Sequence, residues 1–461
     1  NFKKQLMEKA TSINPVTEEQ IASYKRITPE TAKEKVAKAN KTYQSWKKTT
    51  FAERSKLMNK LADIFEENKE KYAQLATQEM GKILKQSLSE IEKCAKICRY
   101  YADNIEELLT DKIIKTEAKK SYITYQPLGV ILAVMPWNFP FYQVIRFAAP
   151  AVMTGNTGVL KHASNVQGCA FALEEAFTKA GFPEGVFTNL NINSDAIKAI
   201  IEDKNIIGVT LTGSEPAGRS VAKIAGENLK KTVLELGGSD AYIILEDVDL
   251  EKVTDLATYG RLQNNGQTCI AAKRFIVLEA IYDDFLKMFT QKMVAAKMGE
   301  PTNDDTYYGP LARVDLRNEL HKQVKKTIEQ GGKLILGGKI PDQKGAYYPA
   351  TILANLKPGM TAFDEELFGP VASVIKAKDE NEAIELANNS NFGLGSGVLT
   401  GNSERGEKIA LQLEAGNSFV NKLVASDPRL PFGGIKNSGY GRELSDFGVK
   451  EFVNTKTIWV D

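Results

Sequence analysis

The chain has 461 residues, 43% of them hydrophobic and 26% charged, with 60 basic against 58 acidic side chains and a formal net charge of +2. That length calls for about two or three domains of an ordinary globular protein. The charge balance offers no bulk electrostatic argument for a nucleic-acid or membrane partner.

In chain order, residues 30–110 read as helical, with long mixed runs of apolar spacing near 3.6 and few breakers. A strand-like stretch at 121–125 follows and ends at Pro127 and Gly129. Strands and helices then alternate: strands at 130–135, 158–161, 185–190, 206–211 and 232–236, helices at 170–180, 194–202 and 217–229. The second half alternates too, with strands at 274–278, 333–336, 372–375 and 418–420 and helices at 282–297 and 380–388. This pattern predicts βαβ units, parallel sheets covered by helices and two α/β domains in sequence. A final strand at 451–460 has no obvious partner in its own domain, so pairing with another subunit is expected.

No signal-peptide pattern opens the chain, and no apolar run approaches the roughly 18 residues of a membrane span, so a cytoplasmic protein is expected. The first residue is Asn1 rather than Met, so processing or a few preceding residues are expected. Four cysteines, Cys94, Cys98, Cys169 and Cys269, make no disulfide framework and suit a reducing compartment. Cys94 and Cys98 stand four apart without a further Cys/His cluster; they read better as buried apolar residues than as metal ligands, and no metal is expected. The two histidines, His162 and His321, sit in no motif suited to a Ser-His-acid hydrolase. Proton transfer then falls to carboxylates, lysines or water.

Several short segments carry possible chemistry. Cys269 follows Gly266-Gln267-Thr268 and is a candidate nucleophile. Glu235, at the end of an apolar strand before Leu236-Gly237-Gly238, is a candidate base. Thr212-Gly213-Ser214 through Gly218 opens a helix after a strand; it reads as a pyrophosphate seat or simply as a capped turn. Asn138, within Pro136-Trp137-Asn138-Phe139-Pro140, could donate to an oxyanion or cap a turn. Lys161 ends a strand, where it could reach a ribose or phosphate or face solvent. In Glu365-Glu366-Leu367-Phe368-Gly369-Pro370, Glu366 could accept from ribose hydroxyls and Phe368 pack on a planar ring, or the two could be a charged loop and a core residue.

Each segment is ambiguous alone; their joint order and spacing resemble the aldehyde dehydrogenase superfamily over nearly the whole chain. The runs PWNFP, LELGG, GQTC, EELFGPV and PFGG (Pro431 to Gly434) carry the resemblance. It implies an aldehyde dehydrogenase-like fold: a Rossmann-like cofactor domain (1–108 and 128–237), a catalytic α/β domain (238–446) and a small oligomerisation β-element (109–127 and 447–461), in a homodimer or homotetramer. It implies Cys269 as nucleophile, Asn138 as oxyanion donor and Glu235 as the base for deacylation. Pro136, Trp137, Lys161, Ser164, Gly213, Ser214, Leu236, Glu366 and Phe368 would surround the cofactor. Many NAD enzymes of the family carry Glu at the position of Ser164; Ser has no charge to repel a 2′-phosphate, so NADP is expected to be preferred, with NAD possible.

The substrate expectation rests on Arg146, in the helix after PWNFP. Succinate-semialdehyde dehydrogenases carry Arg there, where its fork grips the far carboxylate; Ser426, before PFGG, would be a second anchor. An internal ion pair is the competing reading of Arg146. Oxidation of succinate semialdehyde, a small aldehyde with a distal carboxylate, is therefore expected. Glutarate semialdehyde or lactaldehyde is the alternative substrate, and a non-catalytic structural protein on the same scaffold is the alternative class. Two departures stand out: Cys269 is followed by Ile270-Ala271 rather than by a second cysteine, and His162 replaces a more frequent Pro.

Overall fold

A computed structural model describes residues 8–461; the first seven residues of the expected cofactor domain lie outside it. A hairpin of Lys9–Ile13 and Gln20–Lys25 opens the described chain. Its polar, lysine-bearing strands carry no apolar alternation that would announce them. The helical region divides into Pro29–Trp46, Phe51–Glu67, Lys69–Met80 and Leu84–Leu108. The breaks have local causes: Thr50 and Glu53 form a reciprocal capping box, and Gly81 ends the third helix at φ 78°.

The alternation after residue 130 builds a six-stranded sheet in the order Gly439–Tyr440, Lys231–Glu235, Ile206–Thr212, Val130–Met135, Thr157–His162, Phe187–Asn189. Its pairs are parallel apart from Gly439–Tyr440. Val130–Met135, first of the parallel strands in sequence, lies inside the sheet; the chain builds outward on one side of it, then crosses to the other. Such a reversal opens a crevice at the carboxyl ends of the strands, where open α/β sheets bind ligands. Pro136, Ser164, Gly213 and Leu236 all follow those ends.

A second sheet has seven strands, Lys333–Leu336, Thr351–Ala354, Val371–Ala377, Arg274–Leu278, Ala241–Ile244, Gly395–Leu399 and Asn417–Val420, parallel except for the first. Three of these strands escaped the sequence pattern because they are short, buried on both faces or glycine-bearing. The final strand, Val453–Val460, is not without a partner in its own chain: it pairs antiparallel along its length with Lys120–Pro127, which also pairs Lys112–Ile113. Among the described residues no helix is long and apolar enough to cross a membrane.

One buried ion pair fixes the helix nearest the crevice. Glu90, on Leu84–Leu108, accepts the backbone N–H groups of Phe141 (2.9 Å) and Tyr142 (3.0 Å) at the start of Tyr142–Met153. A carboxylate there satisfies orphan donors and meets the positive end of the helix dipole. Lys82, fully buried, pairs with Glu90 and lies 3.8 Å over the Phe139 ring. Burial pushes the Lys82 ammonium down from its ordinary pKa and Glu90 draws it back. Glu90→Ala strands a buried cation and two amide donors, so it is expected to destabilise the protein by about 3–5 kcal/mol, read as an earlier thermal unfolding transition.

Candidate active site

The strand Val130–Met135 delivers Asn138 into the crevice, where it is buried. Its Nδ2 donates to the Gln267 carbonyl at 3.1 Å. Asn264 Nδ2 bridges the same two segments, donating to the carbonyls of Asn138 (2.9 Å) and Gln267 (3.0 Å). One N–H of the Asn138 amide thus anchors it to the Cys269 loop. Its second N–H is the donor left for a ligand.

His162 braces this loop from below, which gives the unusual residue after Lys161 a physical role. With its proton on Nε2 the imidazole donates to Pro140 O (2.8 Å) and accepts the Ala163 N–H on Nδ1 (3.0 Å). Burial pushes its pKa down to about 4, so it stays neutral.

The Cys269 loop is held in an uncommon backbone conformation. Asn264 and Asn265, both buried, have φ of 54° and 58°, and Gly266 follows at 77°. Asparagine tolerates the left-handed region better than most residues. Asn265 also ties the loop down, donating to Gly81 O and Pro310 O (both 2.8 Å) and accepting the Gly309 N–H (2.7 Å). At Gly266 a Cβ would lie 2.2 Å from the Gly369 carbonyl carbon, so glycine is what lets the Glu366–Phe368 loop lie against the Cys269 loop.

Cys269 is partly exposed, and burial of its sulfur pushes the thiol up to about 11 against the pull of Lys273 and Arg146. Lys273, itself buried, donates to the carbonyls of Thr268 (3.0 Å) and Cys269 (2.5 Å) and pairs with Glu366 Oε1 at 3.1 Å. The same Glu366 oxygen accepts the Gly238 N–H at 3.1 Å. A cation therefore stands behind the Cys269 thiol, which at a pKa of about 11 remains protonated at neutral pH.

Glu235 ends its strand fully buried, with no hydrogen-bond partner for either oxygen among the described residues. Burial pushes its pKa well above the ordinary carboxylate value, and Glu443 raises it further while Arg146 opposes. The PFGG run makes room for it: a Cβ on Gly433 would meet Glu235 Oε1 at 2.7 Å. The neighbouring Phe432 exchanges both backbone hydrogen bonds with Glu443 (2.7 Å each), which places the Glu443 carboxylate against Arg146. Arg146 Nε and Glu443 Oε2 stand 2.5 Å apart in a buried ion pair whose N–H is not aligned as a hydrogen bond. The internal pairing of Arg146 is thus present, and Arg146 also lines the cavity at Cys269.

That cavity is about 440 Å³ and reaches from Cys269 past Phe139, Phe432 and Arg146 to Tyr142, Ser426 and Lys93. Ser426 Oγ accepts from Lys93 Nζ at 2.7 Å and shares a hydrogen bond of 2.9 Å with the Tyr142 hydroxyl.

On the other side of the Cys269 loop the groups suit a dinucleotide. Trp137 and Phe368 meet edge-to-face, centroids 5.8 Å apart. Ser214 sits at the N-cap of Glu215–Glu227 with its hydroxyl unused in capping, and Thr212 Oγ1 beside it is buried without a hydrogen-bond partner among the described residues. Leu236 packs under this helix where Gly218 leaves it room. Lys161 is buried, and burial together with Arg26 pushes its pKa down to about 8. Arg26 donates to Ser164 Oγ at 3.1 Å. Two cations and a hydroxyl in one place make a seat for a phosphate, and the free helix start makes another.

Sequence reasoning missed Arg26, Lys93, Asn264, Lys273 and Glu443. Asn264-Asn265-Gly266 was a readable signal, because three residues tolerant of positive φ stand together before the thiol. The charged residues gave none, since each acts through partners distant in sequence or fixed by the loop's path.

A model described as the aldehyde dehydrogenase family matches residues 2–458. A probable succinate-semialdehyde dehydrogenase, NADP(+), of Synechocystis sp. is 48% identical over 449 residues, 97% of this chain and 99% of that protein. The crystal structure of succinic semialdehyde dehydrogenase from Streptococcus pyogenes, in complex with NADP+ as the cofactor, superposes with a TM-score of 0.96 at 40% identity, covering 98% of this chain and 99% of that one. An NAD-dependent aldehyde dehydrogenase from Sinorhizobium meliloti gives a TM-score of 0.95 at 31% identity, covering 98% of this chain and 91% of that one.

Proposed function

This chain belongs to the aldehyde dehydrogenase family, and from that premise we propose that it oxidises succinate semialdehyde to succinate with NADP. The observation that carries the reading is a single cavity with the Cys269 thiol at one place and a cationic, hydroxyl-bearing wall of Arg146, Ser426 and Lys93 at another. Such a wall suits an aldehyde whose far end is a carboxylate. The relatives named above support the substrate and the cofactor.

The chemistry assigned to the residues is as follows. The Cys269 thiol gives its proton to solvent and the thiolate attacks the aldehyde carbon; a C–S bond forms and the carbonyl π pair moves to oxygen. The free N–H of Asn138 and the backbone N–H of Cys269 face that oxygen; one such donor is worth about 3 kcal/mol of barrier. NADP, when bound, supplies the hydride acceptor that makes the thiohemiacetal a thioester. Glu235 then takes a proton from water, the water oxygen attacks the thioester carbon, and the Cys269 thiolate leaves. Because burial raises the Glu235 pKa, its base form, and with it deacylation, gains as pH rises.

In the same reading Lys161, Ser164 and Arg26 take the adenosine phosphate, and Gly213 and Ser214 the pyrophosphate. Glu366 takes ribose hydroxyls; Pro136, Trp137, Leu236 and Phe368 wall the cofactor. The cofactor domain is 1–108 and 128–237, and the catalytic domain 238–446. Residues 109–127 and 447–461 form the oligomerisation element of a homodimer or homotetramer. Support for this element comes from Val453–Val460, whose outer edge has no strand partner among the described residues and whose Trp459 and Val460 are exposed. The four free thiols suit the cytoplasm.

With NADP, kcat/KM for succinate semialdehyde is expected to exceed that for butanal, an uncharged aldehyde of equal length, by about tenfold or more; equal values exclude the carboxylate reading. Ser164→Glu places a carboxylate where the phosphate would sit, so kcat/KM with NADP should fall about tenfold or more while that with NAD is spared. The pair of steady-state measurements with the two cofactors checks this.

A further inference from the structure

Three carboxylates near the substrate cavity each have a cation of their own. Glu443 is paired with Arg146, Glu90 with Lys82, and Asp427 is held by the fork of Arg429 at 2.8 and 2.6 Å. Lys93 is the exception on the cation side. Half-buried on the helix Leu84–Leu108, it has no carboxylate within 4.0 Å among the described residues. Its recorded polar contact is the Ser426 hydroxyl at 2.7 Å, and its Nζ lies 4.2 Å over the Tyr142 ring. Three separate elements, that helix, the start of Tyr142–Met153 and the loop before Pro431, bring these groups to one wall of the cavity that holds Cys269.

Arg146, by contrast, enters the cavity with its charge already answered. Its nearest anion is Glu443, and its guanidinium lies 4.9 Å over the Phe432 ring. It retains N–H donors, and its charge is shared with that carboxylate. We propose that Lys93, acting with Ser426, is the point that recognises the substrate's distal carboxylate, and that Lys93 supplies the uncompensated charge that selects a carboxylate-bearing aldehyde. This rests on the reading of the function given above.

The hydrogen bonds count correctly. The ammonium has three N–H donors and gives one to Ser426. Ser426 accepts that bond, so its own O–H is free to turn from Tyr142 to an incoming carboxylate oxygen. The carboxylate then gains a charge-assisted bond from Lys93, a neutral one from Ser426 and whatever Arg146 still offers. Burial and the nearby Arg146 push the empty-cavity Lys93 down to about 8; a bound anion restores the charge.

The test is a comparison of kcat and KM for succinate semialdehyde and butanal, with saturating NADP, in the wild-type protein, Lys93→Met and Lys93→Gln. Lys93→Gln keeps a donor toward Ser426 and removes only the charge, so it serves if the methionine variant folds poorly. The expected result is a KM for succinate semialdehyde raised about ten- to hundredfold, with its kcat and both constants for butanal nearly unchanged, and partial recovery in Lys93→Arg. A KM for succinate semialdehyde that stays at the wild-type value overturns the assignment to Lys93, as does an equal rise for both aldehydes. In either case a wild-type preference for succinate semialdehyde leaves the proposed function standing. A wild-type protein that does not prefer succinate semialdehyde over butanal overturns both.

Discussion

Arg146 is one guanidinium set between two buried carboxyl groups, and the reacting centre is organised by that shortage. Glu443 holds the cation at 2.5 Å, and Glu235 is left without a partner. Burying a carboxylate without compensation is costly enough that the group takes a proton instead. The arrangement therefore raises the proton affinity of Glu235 well above that of an ordinary carboxylate. Burial comes first in raising the Glu235 pKa, and the returning segment Phe432–Glu443, whose backbone pairing places Glu443, adds to it. Removing one carboxylate or moving that segment changes the charge seen by the substrate helix, the base and the thiol together.

The second constraint is steric. Cys269 follows a turn that ordinary residues adopt poorly, and the turn is enforced from several sides: Asn265 by three backbone groups, Asn264 by the Asn138 loop, Gly266 by contact with Gly369. Backbone held in such regions costs about 1–3 kcal/mol per residue and persists where the surroundings over-determine it. Here those contacts lock the Cys269 loop, Asn138 and the Glu366–Phe368 loop to one another. The cofactor side and the aldehyde side thereby meet at Cys269 in fixed register.

Much of this was legible in the chain. The strand–helix alternation between 130 and 236 is a run of short apolar segments separated by breakers, and it folds as a parallel sheet, whereas three strands of the second sheet lacked that signal. The strand ends that carry Asn138, Lys161, Gly213 and Glu235 were readable because period and turn residues are local properties. The strand at Val453–Val460 shows the limit. Its partner, Lys120–Pro127, was visible as a strand, but nothing in either segment states that they pair. The same holds for charge: Arg146 was in view, and only the fold brings Glu443 to it. His162 looked like an unexplained departure from a common Pro; its two ring nitrogens tie the Pro140 carbonyl, at the end of the Asn138 loop, to the Ala163 N–H, a juxtaposition that no sequence pattern shows.

The central claim is that Cys269 carries the acyl group and Glu235 releases it. Peptide mass mapping of the Glu235→Gln variant after incubation with succinate semialdehyde and NADP tests this directly. The account predicts a single succinyl group in hydroxylamine-labile linkage on the peptide that holds Cys269, formed along with NADPH and persisting because water is not activated. An unmodified Cys269, a succinyl group on another residue, or turnover by the variant at the wild-type rate would contradict it.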